Sequence, residues 1–205
     1  LLFIVWLHAN DKRIKNSEEA EEKLEEPVVG DLPTLRTRDP KLEPASSPYS
    51  EAIRALRNTL VINAEPKGCS VMMVTSTAPA EGKTTMTAHL GVALAAIGKS
   101  VLLIDADFRR GKLGEYFPNA NWVGLDRWLT DSSWSGDYYP VYSTMDSMSG
   151  VHVLGNGSTR MEPGEALYSV KLGRFIKSAR EQFDYIVIDA PPVGAVDDAA
   201  ALFRH

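Results

Sequence analysis

The sequence predicts an α/β fold in which a mostly parallel sheet is flanked by helices. Three fully apolar runs each end at a polar residue: "VMMV" stands before Thr75, "VLLI" before Asp105 and "YIVI" before Asp189. Runs with a hydrophobic residue at every position are typical of strands buried on both faces, as in parallel sheets covered by helices. The segments between these runs carry helical patterns, so we expect the helices to cover the sheet.

Two helices are predicted around the first strand. In "SPYSEAIRALRNTLVI" the residues Ile53, Leu56 and Leu60 recur at helical spacing, with Ser50 as the expected N-cap. After the first strand, "TTMTAHLGVALAAIG" is rich in small and apolar residues, which favours a tightly packed helix that ends at Gly98. The first apolar strand is therefore expected between two helices.

Further segments of the sequence have a predicted structure. The segment "VHVLGNG" is the expected fourth strand, and "PGEALYSVKLGRFIKSAREQF" is an expected helix with Lys171, Arg174 and Lys177 on its exposed side. The charge run "EEAEEKLEE" at 18–26 predicts a solvated helix or linker. Residues 119–149 mix short helix and loop.

The chain opens on a short apolar segment, "LLFIVWL", of seven residues. A transmembrane helix needs about 20 apolar residues, so we interpret the segment as the end of such a helix, and Lys12, Arg13 and Lys15 fit the positive charge found on the cytoplasmic side. The alternative is the first strand or helix of a soluble protein. The predicted division is a transmembrane end at 1–8, a proline-rich and mostly extended juxtamembrane linker at 9–45, and a domain at 46–205.

Composition excludes several classes of function. The 205 residues are 44% hydrophobic and 24% charged, as in an ordinary globular domain, and the formal charge of -5 provides no basic field for nucleic acid. The single cysteine, Cys69, cannot form an internal disulfide, and no Cys/His cluster has metal-ligand spacing. These features favour a reducing compartment and no nucleic-acid partner.

The stretch "TSTAPAEGKTT" predicts a phosphate-binding loop between the first strand and the next helix. There, consecutive backbone N–H groups and the helix N-terminus attract anions, Lys83 reaches the β- and γ-phosphates, and the Thr84 hydroxyl can bind Mg²⁺. An ordinary Gly-Lys turn is the alternative. The expected nucleotide-binding residues are Ser76, Pro79, Ala80, Glu81, Gly82, Lys83, Thr84 and Thr85.

Carboxylates follow the other two apolar runs. The second run ends at Asp105, with Asp107 and Arg109 just beyond, and the third ends at Asp189. Ligands in open α/β sheets lie beyond the carboxyl ends of the strands, so these side chains should converge on Lys83. Carboxylates beside a triphosphate require a divalent cation. Taken alone, each aspartate could instead be a helix cap or an ion-pair partner.

Three stretches together resemble the motifs of one family. "TSTAPAEGKTT", "LLIDADFRR" and "YIVIDAPPV" resemble the Walker A, Walker A′ and Walker B motifs of the bacterial tyrosine kinases, autokinases that act with polysaccharide chain-length determinants. That family does not demand glycine at the first loop position, which is Thr77 here. "SEAIRALRNTL" resembles its Glu-x-x-Arg-x-x-Arg oligomerisation helix, which assigns that role to Glu51, Arg54 and Arg57. Steps of three place these side chains within an arc of about 120°.

The resemblance implies a P-loop NTPase fold and a specific reaction. The family transfers the γ-phosphoryl of ATP, with Mg²⁺, to tyrosine hydroxyls, and regulates capsular or exopolysaccharide synthesis and export. It implies a ring-like homo-oligomer that works with the chain-length determinant and export machinery, attached to the plasma (inner) membrane with the kinase domain on the cytoplasmic side. Because the family continues with another core strand and a tyrosine-rich tail, we expect the fold to be truncated at the C-terminus here.

The same resemblance implies residue roles. Lys83 and Arg109 are expected to be catalytic, and Thr84, Asp107 and Asp189 are expected to hold the metal directly or through its waters. Asp105 is the candidate to orient or deprotonate the tyrosine, although the division of roles among the aspartates stays open. Two departures from the family pattern are Ala80, where glycine is common, and Gly111, where proline is common.

Two other functions remain as alternatives. Septum-positioning and plasmid-partitioning ATPases share the fold but carry an extra lysine five positions before the conserved one, and that position is Ala78 here. A nucleotide-responsive scaffold without catalytic activity is the second alternative, favoured by the lack of a tyrosine cluster.

Overall fold

The computed structural model describes residues 14, 16–35, 41–63, 68–117, 124–130, 142–143, 150–157 and 169–193. Its described strands form one five-stranded sheet in the order β1-β5-β2-β4-β3. The strands are β1 Ser70–Val74, β2 Val101–Asp105, β3 Tyr142–Ser143, β4 Val151–Leu154 and β5 Tyr185–Asp189. Neighbouring strands are parallel except that β3 runs antiparallel to β4. The prediction of a mostly parallel sheet is confirmed.

The strand register sets the level at which the functional side chains leave the sheet. β5 lies between β1 and β2, with Val74 opposite Asp189 on one side and Asp105 opposite Asp189 on the other. Three apolar runs that are distant in sequence therefore end side by side. The predicted convergence of the strand ends follows from this register.

Five α-helices occur among the described residues. They are α1 Ser17–Leu24, α2 Pro48–Asn63, α3 Lys83–Ala95, α4 Leu125–Thr130 and α5 Val170–Ala179. A single-turn 3-10 helix, Leu113–Tyr116, follows β2. Helix α3 ends at Ala95, three residues before the predicted end at Gly98. Gly98 lies just beyond the C-cap, with a φ of 80°, and donates its N–H to the Ala95 carbonyl at 2.8 Å.

The two faces of the sheet are covered by different helices. On one face, Leu172 and Phe175 of α5 pack in a buried cluster with Leu102 and Ile186. On the other face, Leu90 and Leu94 of α3 pack with Val101, Leu103 and Val187. Alternate residues of one strand thus enter opposite clusters, which explains why β2 and β5 have no polar residue before their final aspartates.

Helix α2 begins earlier than predicted. It starts at Pro48, and the hydroxyl of Ser47 accepts the backbone N–H of Ser50 at 3.1 Å. Proline is favoured at the first helical position, where its missing N–H has no helical partner to lose. The prediction that Ser50 is the N-cap was wrong: Ser47 has that role, and Ser50 lies in the first turn.

The other predicted helices agree with the structure in part. Helix α1 has no buried residue, as expected for the charge run. In α5, Arg174 and Lys177 are exposed, but Lys171 is half-buried and its ammonium donates to the Leu129 carbonyl at 3.1 Å. The start predicted for that helix falls at 161–168, outside the described residues.

Among the described residues, none of the helices is both long and apolar enough to cross a bilayer. The segment 1–8, which was interpreted as the end of a membrane helix, lies outside the described residues.

Candidate active site

The phosphate loop connects β1 to α3. Its left-handed backbone positions are Ala80, with φ 66°, and Gly82, with φ 90°. Thr77 does not have a positive φ, so the first loop position requires no glycine here. Gly82 is the N-cap of α3 and has no side-chain cap. The N–H groups of the first turn of α3 are therefore available to an anion.

Glu81 shows that the first part of this loop binds a carboxylate. Its side chain accepts the backbone N–H groups of Thr77 and Ala78 at 2.9 and 3.0 Å and the Thr77 hydroxyl at 3.0 Å. The Ala78 N–H bond, followed by the Thr77 hydroxyl, lowers the pKa of Glu81 below its ordinary value. The hydroxyl at the first loop position thus has a role that glycine could not have.

Lys83 links the two later strand ends to the loop. Its ammonium lies 3.0 Å from Asp107 Oδ2 and 3.7 Å from Asp189 Oδ1. Asp107 is held in place because its other oxygen accepts the backbone N–H groups of Arg109 and Arg110 at 3.2 and 2.9 Å. The structure therefore brings these three predicted site residues into direct contact.

Asp105 lies beneath this cluster, and its side chain is almost completely buried. Its oxygens accept the N–H of Asp107 at 3.1 Å and that of Leu113 at 3.1 Å. Burial, with a smaller effect from the Asp189 charge, raises the pKa of Asp105 to about 7, while the two N–H bonds act in the opposite direction. The contacts of Asp105 fix the backbone that presents Asp107.

Asp189 and Thr84 bring together oxygen atoms that could hold a cation. The Thr84 hydroxyl donates to Asp189 Oδ2 at 2.6 Å, while Asp189 Oδ1 is buried and accepts no hydrogen bond. Burial raises the pKa of Asp189 to about 6, against the lowering effect of the Lys83 charge. A hydroxyl beside a carboxylate with an unsatisfied oxygen fits Mg²⁺, which prefers oxygen ligands.

The described side chains form no cluster of three or more His, Cys, Asp or Glu residues able to hold a metal by themselves. Mg²⁺ in nucleotide sites is commonly held by one or two protein ligands together with phosphate oxygens and water. The donor set of Thr84 and Asp189 has that composition.

Sequence reasoning missed two polar contacts at this site. Asn156 follows β4 and donates its amide to the Asp107 carbonyl at 3.2 Å. The strand-end argument used for the aspartates would also have selected it, because "VHVLGNG" ends in the same way. Tyr116 lies with its hydroxyl 2.7 Å from Thr85 Oγ1. No local pattern in the sequence indicates this second contact.

The remaining predicted site residues are dispersed. Arg109 is exposed at the edge of the site. On α2, Glu51 and Arg54 have exposed side chains 3.8 Å apart, whereas Arg57 is buried and donates to the Ala93 carbonyl of α3 at 3.0 Å. The three residues predicted for oligomerisation thus do not share one exposed face, and Arg57 holds two helices of its own chain together.

Comparison with known proteins identifies the family. Residues 72–183 match the CobQ/CobB/MinD/ParA nucleotide binding domain family. The tyrosine-protein kinase CpsD of Streptococcus pneumoniae is 33% identical over 175 residues, which cover 83% of this chain and 73% of CpsD. The chain belongs to the bacterial tyrosine kinase family. Its fold is accordingly that of a P-loop NTPase.

Other family members give the same result. The putative tyrosine-protein kinase EpsB of Ralstonia solanacearum is 32% identical over 76% of this chain, a match that spans 20% of EpsB. The chain thus corresponds to about a fifth of that relative's length. The kinase domain of Escherichia coli tyrosine kinase ETK superposes with a TM-score of 0.77 at 26% identity, over 92% of this chain and 77% of its own.

A more distant structural neighbour has a nucleotide bound. The septum site-determining protein MinD of Pyrococcus horikoshii, complexed with Mg-ADP, matches 66% of this chain and 54% of its own at 27% identity, with a TM-score of 0.53. The lower coverage and score separate this neighbour from the tyrosine kinase domains.

Proposed function

We propose that the chain is the catalytic part of an ATP-dependent protein-tyrosine autokinase. The observation that carries the proposal is the contact of Lys83 with both Asp107 and Asp189 at the exit of the phosphate loop. This arrangement places one cation among the carboxylates that follow the Walker A′ and Walker B strands. The similarity to CpsD and to the ETK kinase domain supports phosphoryl transfer to tyrosine.

The residues of the site would act by positioning and by neutralising charge, which are the main contributions to phosphoryl transfer. Backbone N–H groups at Gly82 and in the first turn of α3 would hold the phosphates. Lys83 would move from its carboxylate partners to the β- and γ-phosphate oxygens. Thr84 and Asp189 would hold Mg²⁺, which supplies charge neutralisation of the transferring group.

The aspartates divide into two roles under this proposal. Asp107 faces Lys83 and lies beside the cation site, so it would bind the metal through water or orient the incoming hydroxyl. Asp105 is buried, and both of its oxygens accept backbone N–H groups. A role in positioning Asp107 therefore fits its contacts better than the role of orienting or deprotonating the tyrosine, which the resemblance implied for it.

Partners and location are part of the same proposal. The resemblance of the motifs and of the α2 sequence favours a ring-like homo-oligomer with Glu51 and Arg54 at the subunit contact. It also favours action with a chain-length determinant and the polysaccharide export machinery. The apolar segment at 1–8 and the basic residues after it support attachment to the plasma membrane with the kinase domain on the cytoplasmic side.

The proposal is tested by a labelling experiment with the Lys83→Met variant. The purified protein is incubated with Mg²⁺ and γ-labelled ATP, and phosphotyrosine is identified by mass spectrometry. We expect label on tyrosine in the natural protein and background label in Lys83→Met, because the substitution removes the cation that contacts the phosphates. A folded Lys83→Met protein that retains full labelling would contradict the assigned role.

The same experiment separates the alternatives. Release of free phosphate without labelled protein would favour a partitioning-type ATPase, although Ala78 stands where that class carries its extra lysine. Nucleotide binding without either product would favour the scaffold.

A further inference from the structure

The linker before α2 is docked on the domain. Residues 41–47 contain no helix or strand, yet Leu42 packs at the edge of the core cluster that α3 forms with the sheet. The Ala45 carbonyl accepts the guanidinium of Arg54 at 2.6 Å. The linker therefore has fixed contacts with both α2 and α3, and we refer to residues 41–47 as the docked linker.

One contact connects the docked linker to the interior of α3. The backbone N–H of Glu43 donates to Nε2 of His89 at 2.8 Å, and His89 is 5% exposed. Its other ring nitrogen, Nδ1, lies 2.8 Å from the Thr85 carbonyl oxygen. A carbonyl can only accept and an amide N–H can only donate, so His89 must be neutral with its proton on Nδ1.

Thr85 is held at two atoms by this cluster. His89 donates to its carbonyl, and its hydroxyl is bonded to the hydroxyl of Tyr116 at 2.7 Å. The rings of Tyr49 and Tyr116 lie edge-on to His89, with centroids 4.9 and 6.3 Å from it. Thr85 follows Lys83 and Thr84 in the first turn of α3, so its position and that of the phosphate loop are linked.

We propose that His89 is a positioning residue that couples the docked linker to nucleotide binding at the phosphate loop. It holds Glu43 with one ring nitrogen and Thr85 with the other, so a change of linker position changes the bonds on the first turn of α3. Coupling between two sites is reciprocal, so a nucleotide in the loop also tightens the linker on His89. The inference rests on the nucleotide binding of the proposed function and does not depend on phosphoryl transfer to tyrosine.

Two substitutions separate the two bonds of His89. His89→Asn retains a donor near the position of Nδ1 for the Thr85 carbonyl and removes the acceptor of the Glu43 N–H. His89→Gln retains an acceptor near the position of Nε2 and removes the donor to Thr85. His152→Gln is the matched control, because His152 lies on β4 against Phe183 and outside this cluster.

The experiment measures hydrogen exchange of the Glu43 amide in the full chain, with and without Mg-ADP, alongside ADP affinity by calorimetry. We expect Mg-ADP to slow this exchange about fivefold or more in the natural protein and in His152→Gln. In His89→Asn the amide should exchange rapidly whether or not Mg-ADP is present. In His89→Gln it should remain protected but no longer respond to Mg-ADP. Both variants should also bind ADP less tightly than the control.

The possible failures are distinguishable. The natural protein could bind Mg-ADP while its Glu43 amide exchanges at the same rate with and without the nucleotide. The coupling is then absent, and the proposed function stands. Variants that respond like the natural protein would equally refute a role for His89. If the natural protein binds no ADP, the proposed function fails, and the coupling fails with it. A variant that does not fold is recognised because its β5 amides lose their protection from exchange. In that case the effect of Mg-ADP on Glu43 exchange in the natural protein decides whether the coupling exists.

Discussion

At the scale of single residues, the close approach of Asp105 explains why position 111 is glycine, one of the departures from the family pattern. A Cβ atom there would lie 2.5 and 2.6 Å from the two oxygens of Asp105. Asp105 cannot move aside without losing its backbone N–H bonds to Asp107 and Leu113. We expect Gly111→Ala to lower the free energy of unfolding by about 1–3 kcal/mol, because the added methyl group would be forced against the buried Asp105 side chain.

Gly30→Ala is the control for this substitution. Its added Cβ would lie 3.7 Å from the nearest Leu56 atom, which is an ordinary contact. Urea denaturation of the two variants should therefore show a much smaller change for Gly30→Ala. Equal stability of Gly111→Ala and the natural protein would mean that the backbone at Gly111 relaxes and that the close approach has no cost.

His89 predicts a pH dependence of stability. Burial lowers the pKa of His89, while the Thr85 carbonyl and the nearby Glu43 charge act in the opposite direction. The unfolded chain then binds the proton more readily, so stability from His89 is present above the ordinary pKa of about 6.5 and is lost as pH falls through the folded value. The loss has a limiting slope of about 1.4 kcal/mol per pH unit.

The His89→Gln variant isolates this contribution. Asp105 and Asp189 have raised pKa values, so their contribution runs in the opposite direction and stability from them falls as pH rises from about 4 toward about 7. Denaturation of the nucleotide-free protein is measured from about pH 4.5 to about pH 7, the range in which these groups titrate. It gives the total dependence of the free energy of unfolding on pH. The natural protein should lose more stability on acidification than His89→Gln, and parallel profiles would refute the prediction.

At the scale of elements, the start of α2 provides a direct test of the corrected cap. Ser47→Ala removes the acceptor of the Ser50 N–H and should cost about 1 kcal/mol of unfolding free energy. Ser50→Ala removes only a hydroxyl that reaches the Glu43 carbonyl at 3.5 Å and the Ser47 hydroxyl at 3.1 Å. Denaturation should show the larger loss for Ser47→Ala; the reverse order would restore Ser50 as the cap.

The elements also show which local signals are sufficient for prediction. The strands β2 and β5 were predicted because burial on both faces leaves an uninterrupted apolar run, which is visible without any knowledge of the fold. The predicted start of α2 was wrong because both Ser47 and Ser50 precede the apolar positions, and Pro48 is compatible with a first turn. Apolar periodicity alone could not choose between the two serines.

At the scale of the whole molecule, Mg-ADP should stabilise the folded state through Thr84. A ligand at a hundredfold excess over its dissociation constant adds about 2.7 kcal/mol. Thr84→Val keeps the volume of the side chain but removes the hydroxyl that lies 2.6 Å from Asp189. We expect Mg²⁺ to increase the thermal shift produced by ADP in the natural protein and to have little effect in Thr84→Val.

Thr59→Val is a suitable control because its hydroxyl bonds to the Ala55 carbonyl within α2, away from the phosphate loop. It should retain the full effect of Mg²⁺ on the thermal shift. An unchanged Mg²⁺ effect in Thr84→Val would exclude Thr84 from the cation site.

The site was predictable from sequence to the extent that its residues follow strand ends. Lys83, Asp107 and Asp189 come together because the register of a parallel sheet aligns the ends of its strands. The contact of His89 with Glu43 was not predictable, since it depends on how a segment without helix or strand lies on the finished domain. A lone histidine in an otherwise small and apolar helix was the available signal.

The position of β5 has a consequence for how the protein is made. β5 is the last of the described strands in chain order, yet it lies between β1 and β2. While the ribosome is still synthesising the chain, the strand that carries the phosphate loop and the strand that carries Asp105 have no partner between them. Their facing edges can pair with β5 only after residues 185–189 have been synthesised. Because β5 also carries Asp189, its insertion between β1 and β2 brings this proposed cation ligand to the phosphate loop in the same step of folding.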